Sequence, residues 1–283
     1  MRDYIALTKP RVTWLILMSA GVGFYFGLRG PIEMLTLFHT VLGTALIASG
    51  TFTLNQWYER DADAKMRRTK DRPLPQGRMS PARAFWFGIA LSVAGFVQLG
   101  LGANWLAAFL GAATLLAYLL LYTPLKQRSW HSTTVGAFPG AMPPLIGFAG
   151  AAGTLTAEAW LLFAILLLWQ FPHFYSIAWL YREDYARAGI RMLPVLESDG
   201  RSTARQVVVA SVLLIPVSLL PVALSMAGRW YLMAALLLGL GFLRAGWRLA
   251  VERTAASARG VLLASVIYLP LLYGFLLVAR PGL

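Results

Sequence analysis

Residues 36–75 read TLFHTVLGTALIASGTFTLNQWYERDADAKMRRTKDRPLP. From Thr36 to Trp57 there is no Asp, Glu, Lys or Arg, whereas Glu59 to Arg72 is dominated by them. An apolar helix of that length rises about 33 Å, enough to cross a hydrocarbon layer about 30 Å thick. The stretch is therefore a membrane span that runs into a polar loop. Working outward, further apolar segments cover the chain, giving spans at 12–29, 36–57, 84–101, 104–123, 133–151, 157–179, 206–226, 229–249 and 260–279. Hydrophobic residues make up 58% of the 283 positions and charged residues 13%, against roughly 25% charged in soluble domains. The expectation is an all-α polytopic membrane protein of about nine helices. The chain has no cysteine, which excludes disulfides, thiolate metal sites and a cysteine nucleophile. MRDYIALTKPR at the start resembles a signal-peptide head, but with further spans behind it we read an uncleaved first helix.

The loops alternate between basic and nearly uncharged, which tests the helix count independently of hydropathy. With the N-terminus in the cytoplasm, 22 of the 25 Lys and Arg fall on the cytoplasmic side, leaving Arg29, Arg229 and Arg280 outside. This orientation places the C-terminus outside and fits a bacterial-type inner membrane. The net charge of +13 is thus a topology signal. A nucleic-acid partner is set aside, because the charge is spread over loops that flank membrane spans.

Orientation places little demand on acidic residues, yet eight of the twelve lie in two loops on one face: Glu59, Asp61, Asp63, Asp71, and Glu183, Asp184, Glu197, Asp199. If the second span stays helical past its end, Asn55, Glu59 and Asp63 fall at i, i+4 and i+8 on one stripe, with Asp61 turned away. Oxygen donors in a row suit Mg²⁺, which takes one or two carboxylates and completes its shell with waters and phosphates. Lys65, Arg67, Arg68, Lys70 and Arg72 follow directly. Carboxylates holding Mg²⁺ beside Arg and Lys form a clamp for a diphosphate leaving group.

The second loop region, WQFPHFYSIAWLYREDYARAGIRMLPV from Trp169 to Val195, echoes the first. Both end a span in acidic residues, follow it with basic ones and then read Leu-Pro, at Leu74-Pro75 and Leu193-Pro194. The echo is consistent with two internally related halves within a single domain of residues 1–283, and with two loops facing each other across one cavity. For Asp71, Glu197 and Asp199 a solvated ion pair explains the charge as well as function does. Asn55, Glu59, Asp63 and Asp184, polar near a bilayer boundary, need a partner.

At these residues the chain resembles the intramembrane prenyltransferase superfamily, and within it the protoheme IX farnesyltransferases. The resemblance is carried by LTKPRV at 7–12, the Asn55-to-Pro75 loop, Leu125 to Gly147 with its GAMPPLIG ending, and Trp169 to Pro194. It implies a nine-helix fold around a central cavity open to the cytoplasm, with two acidic motifs holding Mg²⁺ and a prenyl diphosphate. Two positions depart from the superfamily pattern. Glu59 stands where Asp is frequent, and the second motif carries a single Asp184 beside His173, Tyr181 and Glu183. The implied activity joins the farnesyl group of farnesyl diphosphate to a vinyl group of haem b with addition of water, giving haem O. Asn55, Glu59, Asp63 and Asp184 are then the catalytic set, and Glu59, Asp63, Glu183 and Asp184 the candidate Mg²⁺ ligands. Arg67, Arg68, Lys70, Arg72, Lys126, Arg128, Arg182, Tyr185 and Arg191 are candidates for gripping diphosphate or haem propionates, and His173 for a substrate contact. A downstream haem-modifying or oxidase-assembly partner would receive the product.

Aromatic residues near the motifs (Trp57, Tyr58, Phe171, Phe174, Tyr175, Trp179) either shield an allylic cation or belong to an interfacial belt. His39 and His131 read as hydrogen-bonding residues. Gly21, Gly23 and Gly27 read as helix-packing positions. Two rivals share parts of the pattern: a sibling enzyme prenylating an aromatic acid, which the acidic loops allow, and a transporter, whose polar groups belong at mid-depth instead of at the helix ends.

Overall fold

The computed structural model describes residues 1–197 and 199–280. The chain forms α1 (Arg2–Leu7), α2 (Pro10–Gly27), α3 (Met34–Tyr58), α4 (Arg60–Asp63), α5 (Pro81–Gly102), α6 (Trp105–Leu116), α7 (Thr123–Leu125), α8 (Ser132–Ala141), α9 (Pro143–Ala152), α10 (Ala157–Leu180), α11 (Arg182–Arg187), α12 (Leu193–Leu196), α13 (Arg201–Ala223), α14 (Arg229–Glu252) and α15 (Ala255–Val278). A π-helical segment, Ala117–Tyr122, joins α6 to α7. Among the described residues eight helical segments are long and apolar enough to cross a membrane. The ninth sequence-predicted span is α2, 18 residues long and about 27 Å by helical rise, which packs along α9 and α3. The protein is thus a multi-pass, all-α membrane protein. Helices α13 and α15 begin at 201 and 255, five residues ahead of the apolar runs at 206 and 260. The added residues are Arg201 to Arg205 in α13 and Ala255 to Arg259 in α15, each ending in an arginine ahead of the apolar run, and a capping box between Thr254 and Ser257 starts α15.

Helix α2 packs closely on α9, and small residues make it possible. A Cβ on Gly23 would lie 2.0 Å from the Pro144 carbonyl oxygen, and one on Gly147 1.8 Å from that of Ala20. Gly27 meets Phe148 in the same way, whereas Gly21 has nothing within 4 Å. The packing role expected for the first-span glycines therefore holds at 23 and 27 and does not extend to 21. Between α8 and α9 only Met142 intervenes, itself in right-handed helical backbone, so the two form one span with Pro139 before the junction and Pro143 after it.

Large apolar side chains cover the outside. Trp86 and Trp247 are exposed near the helix ends that carry the acidic loops, and Trp105, Trp160 and Trp230 are exposed at the opposite ends. These are the two aromatic belts of a bilayer protein.

The acidic loops pack on each other. Ala62 and Met66 from the first form one buried cluster with Ala178, Tyr185, Ala188, Ile190 and Met192 from the second. The Arg191 backbone N–H also donates to the Lys126 carbonyl at 2.8 Å, tying in the loop after α7. This is the facing arrangement that sequence spacing left open.

Candidate active site

The helical path continues past α3: Glu59 N–H donates to Asn55 O at 2.9 Å and Asp63 N–H to Glu59 O at 2.8 Å. Asn55, Glu59 and Asp63 therefore share a stripe, and they are 1%, 9% and 1% exposed. Asp61 points out and pairs with its half-buried neighbour Arg60. Buried carboxylates need partners, and each has one. Lys126 Nζ lies 2.8 Å from Glu59 Oε1, and Arg72 Nη1 lies 2.6 Å from Asp63 Oδ2. Asn55 Nδ2 donates to Thr123 Oγ1 at 3.2 Å. Burial works against the Lys126 ammonium, but the Glu59 carboxylate outweighs it and holds the pKa well above the ordinary lysine value.

Asp184 sits differently. Its Oδ1 accepts from Arg67 N–H and its Oδ2 from Arg68 N–H, both at 3.2 Å, and Arg187 pairs with Oδ1. The carboxylate of the second loop thus caps the backbone of the first. Arg68 also reaches the Tyr185 hydroxyl at 3.5 Å and lies over the Tyr181 ring. Glu183, Arg67, Lys70, Arg128, Arg182 and Arg191 are exposed on the same face, and Arg182 lies over Trp179. Glu183 stands outside the buried acidic set.

Beneath the loops an apolar cavity of about 340 Å³ runs into the bundle between α2, α3, α6, α8, α9, α10 and α15. Its wall carries Lys9, Tyr118, Tyr122, Gln170 and His173. Sequence reasoning missed Lys9, Tyr118, Tyr122 and Thr123. Lys9 was within the quoted LTKPRV; the signal was Pro10, which puts Lys9 at the helix N-cap, in left-handed backbone (φ 47°). Desolvation lowers the Lys9 pKa to about 7, with Arg72 and Lys126 adding to the effect and Glu59 and Asp63 opposing it. Lys126 lies over the Tyr122 ring, its Nζ 4.5 Å from the centroid, and Tyr118 packs edge-on against Tyr122. Of the aromatics weighed from sequence, Phe174 lines the cavity, Tyr175 and Trp179 are core residues, and Tyr58 is exposed. His39 pairs with Gln98, a link between α3 and α5, as its hydrogen-bonding reading anticipated.

An amide oxygen and two carboxylates on one stripe are a hard donor set that fits Mg²⁺ when water and phosphate supply the remaining positions. Among the described residues no three His, Asp or Glu side chains converge on one point, so the protein's side chains supply only part of such a shell. The residues could hold it at Asn55, Glu59 and Asp63.

The chain is 65% identical, over the full length of both chains, to a protein named protoheme IX farnesyltransferase from Solibacter usitatus. It is 49% identical to one of the same name from Koribacter versatilis, over 99% of this chain and 94% of that one. Its fold matches a structure reported for digeranylgeranylglyceryl phosphate synthase at a TM-score of 0.83, with 20% identity over 100% and 99% of the two chains. It also matches a UbiA homologue from Archaeoglobus fulgidus bound to DMAPP and Mg²⁺ at 0.70, with 16% identity over 97% and 99%. With the model of the UbiA prenyltransferase family matching residues 16–276, the chain belongs to that family.

Proposed function

We propose that this enzyme transfers the farnesyl group of farnesyl diphosphate to a vinyl group of haem b, with addition of water, giving haem O and diphosphate. The observation that carries the transfer is the pairing of Glu59 with Lys126 and of Asp63 with Arg72 above an apolar cavity. Polyanion binding and prenyl-chain binding are thereby adjacent. The acceptor rests on the full-length relatives named protoheme IX farnesyltransferase.

Asn55, Glu59 and Asp63 would hold Mg²⁺ with the diphosphate, Asp184 supporting them through the loop it caps. Bound there, the ion neutralises charge that develops on the departing diphosphate. Lys126, Arg72, Arg68 and Lys9 meet phosphate oxygens, and the exposed Arg67, Lys70, Arg128, Arg182 and Arg191 draw anionic groups, haem propionates included, to the mouth. Tyr118, Tyr122 and Phe174 present aromatic faces to the allylic carbon and keep stray water away. Glu183 is an outer contributor on the same loop. The whole chain acts as one domain in which two related halves each supply one loop. It sits in a bacterial-type inner membrane with the N-terminus and loop face cytoplasmic and the C-terminus outside, and passes its product to a haem-modifying or oxidase-assembly partner.

The test is incubation of the purified protein with haem b, farnesyl diphosphate and Mg²⁺, with and without chelator, then mass analysis of the extracted haem. A chelator-sensitive gain of farnesyl plus water is expected. Unchanged haem from folded protein overturns the acceptor, and aromatic acids are tried next.

A further inference from the structure

His173 lines the cavity from α10, and helix α15 fixes its ring. Nδ1 lies 2.8 Å from Ser265 Oγ. Trp169, one turn earlier, stacks on the imidazole with centroids 4.7 Å apart and planes within 19°, and its indole N–H donates to the Ser265 carbonyl at 2.8 Å. One residue of α15 thus holds both rings of a stacked pair.

The direction of the Nδ1 bond follows from the hydroxyl proton. Ser265 Oγ donates to Leu262 O at 2.6 Å, which uses its single proton. Towards His173 the oxygen is left with lone pairs, so Nδ1 carries the hydrogen and donates. A neutral imidazole protonated at Nδ1 has its lone pair on Nε2. Among the described residues Nε2 makes no hydrogen bond to protein and is not enclosed, and the residue that carries it lines the cavity. An oxygen holding one ring nitrogen so that the other is free to coordinate is the arrangement metal-binding histidines use.

We propose that His173 binds the iron of the porphyrin acceptor through Nε2 and that Ser265 is the positioning residue that fixes its tautomer. The inference rests on haem being the acceptor. It adds a contact at the iron to the contacts at the propionates, so the macrocycle is held at two places and its vinyl edge is oriented.

The experiment titrates ferric haem b, without farnesyl diphosphate, into purified wild type, His173→Ala, Ser265→Ala and Ser265→Thr, reading the optical and electron paramagnetic spectra. Iron-free protoporphyrin is titrated in parallel. Wild type is expected to give a nitrogen-ligated spectrum that His173→Ala loses. Ser265→Ala should bind haem roughly 10- to 100-fold more weakly, the usual effect of removing a ligand's hydrogen-bond partner, and Ser265→Thr, which keeps the hydroxyl, should recover. Iron-free porphyrin should bind wild type and His173→Ala equally. Identical haem spectra in wild type and monodisperse His173→Ala overturn the proposal, as does an equal loss of iron-free porphyrin binding. The acceptor itself is scored by product mass, so an enzyme that farnesylates haem b with unchanged spectra in all variants loses the ligation alone.

Discussion

The Asp184 carboxylate accepts the Arg68 backbone N–H at 3.2 Å, joining residues 116 apart in sequence. It takes the Arg67 N–H as well, so one side chain holds the first basic loop in place. A hydrogen bond to a charged group is worth about 1.5–3 kcal/mol, and losing it opens the loop roughly 10- to 100-fold more often. Asp184→Ala should therefore be cut by trypsin at Arg67, Arg68 or Lys70 correspondingly faster and lose most turnover. Asp199→Ala, in a surface pair with Arg201, should do neither. Equal proteolysis in the two variants would remove the capping role.

The Glu59–Lys126 pair is almost entirely enclosed, its side chains 10% and 11% exposed. Glu59→Gln and Lys126→Met should each lower kcat/KM for farnesyl diphosphate by roughly 100-fold or more, the usual scale for removing one electrostatic contact at developing charge. Removing one partner also strands the other, which costs about 3–5 kcal/mol. Thermal denaturation should show both single variants well below wild type, with the double variant closer to it than the sum of the two predicts.

Lys9 gives the enzyme a pH dependence. Its pKa falls from the ordinary 10.5 to about 7 because burial disfavours the ammonium. Between those values the unfolded chain binds more protons than the folded one, so Lys9 makes stability rise with pH across that window. Diphosphate binding runs the opposite way, since it wants the charge. The kcat/KM profile should decline as pH rises through about 7, and Lys9→Met should lower the plateau and erase that inflection. A profile identical in wild type and Lys9→Met would remove Lys9 from the phosphate site.

Gly147→Ala should be the most damaging glycine change in the first helix pair, because its Cβ would press on the backbone oxygen of Ala20, which cannot turn aside. Overpacking costs about 1–3 kcal/mol where side chains yield, and more is expected here. Gly21→Ala, facing open space, should be neutral or slightly stabilising. Detergent-solubilised melting temperatures of the two variants separate these outcomes.

The helices were readable because membrane spans announce themselves by length and lack of charge, and loop charge counted them a second time. Asn55, Glu59 and Asp63 were readable because helical spacing alone puts them on one stripe. The partners were not. That Lys126 meets Glu59 and Arg72 meets Asp63 depends on how three loops fold over one another, and an exposed arginine such as Arg67 reads the same in sequence as a half-buried one such as Arg72. Tyr118 and Tyr122 were hidden because they lie in an apolar run, and only the packed bundle reveals which face of the π-helical segment borders the cavity. Ser265 had no signal at all, being one serine among many and some 70 residues beyond the end of the second motif in sequence.

The exposed tryptophans at both helix ends do more than mark a bilayer. Belts at both ends fix the height at which a helix bundle sits, which would set the buried ion pairs nearer the lipid headgroups and the apolar cavity beneath them nearer the acyl tails. A prenyl diphosphate is a detergent-like molecule whose two halves belong to different phases. In the proposed reaction neither half would have to change phase: the anion would stay beside water, the chain in oil, and the bond that breaks would lie at the boundary between them.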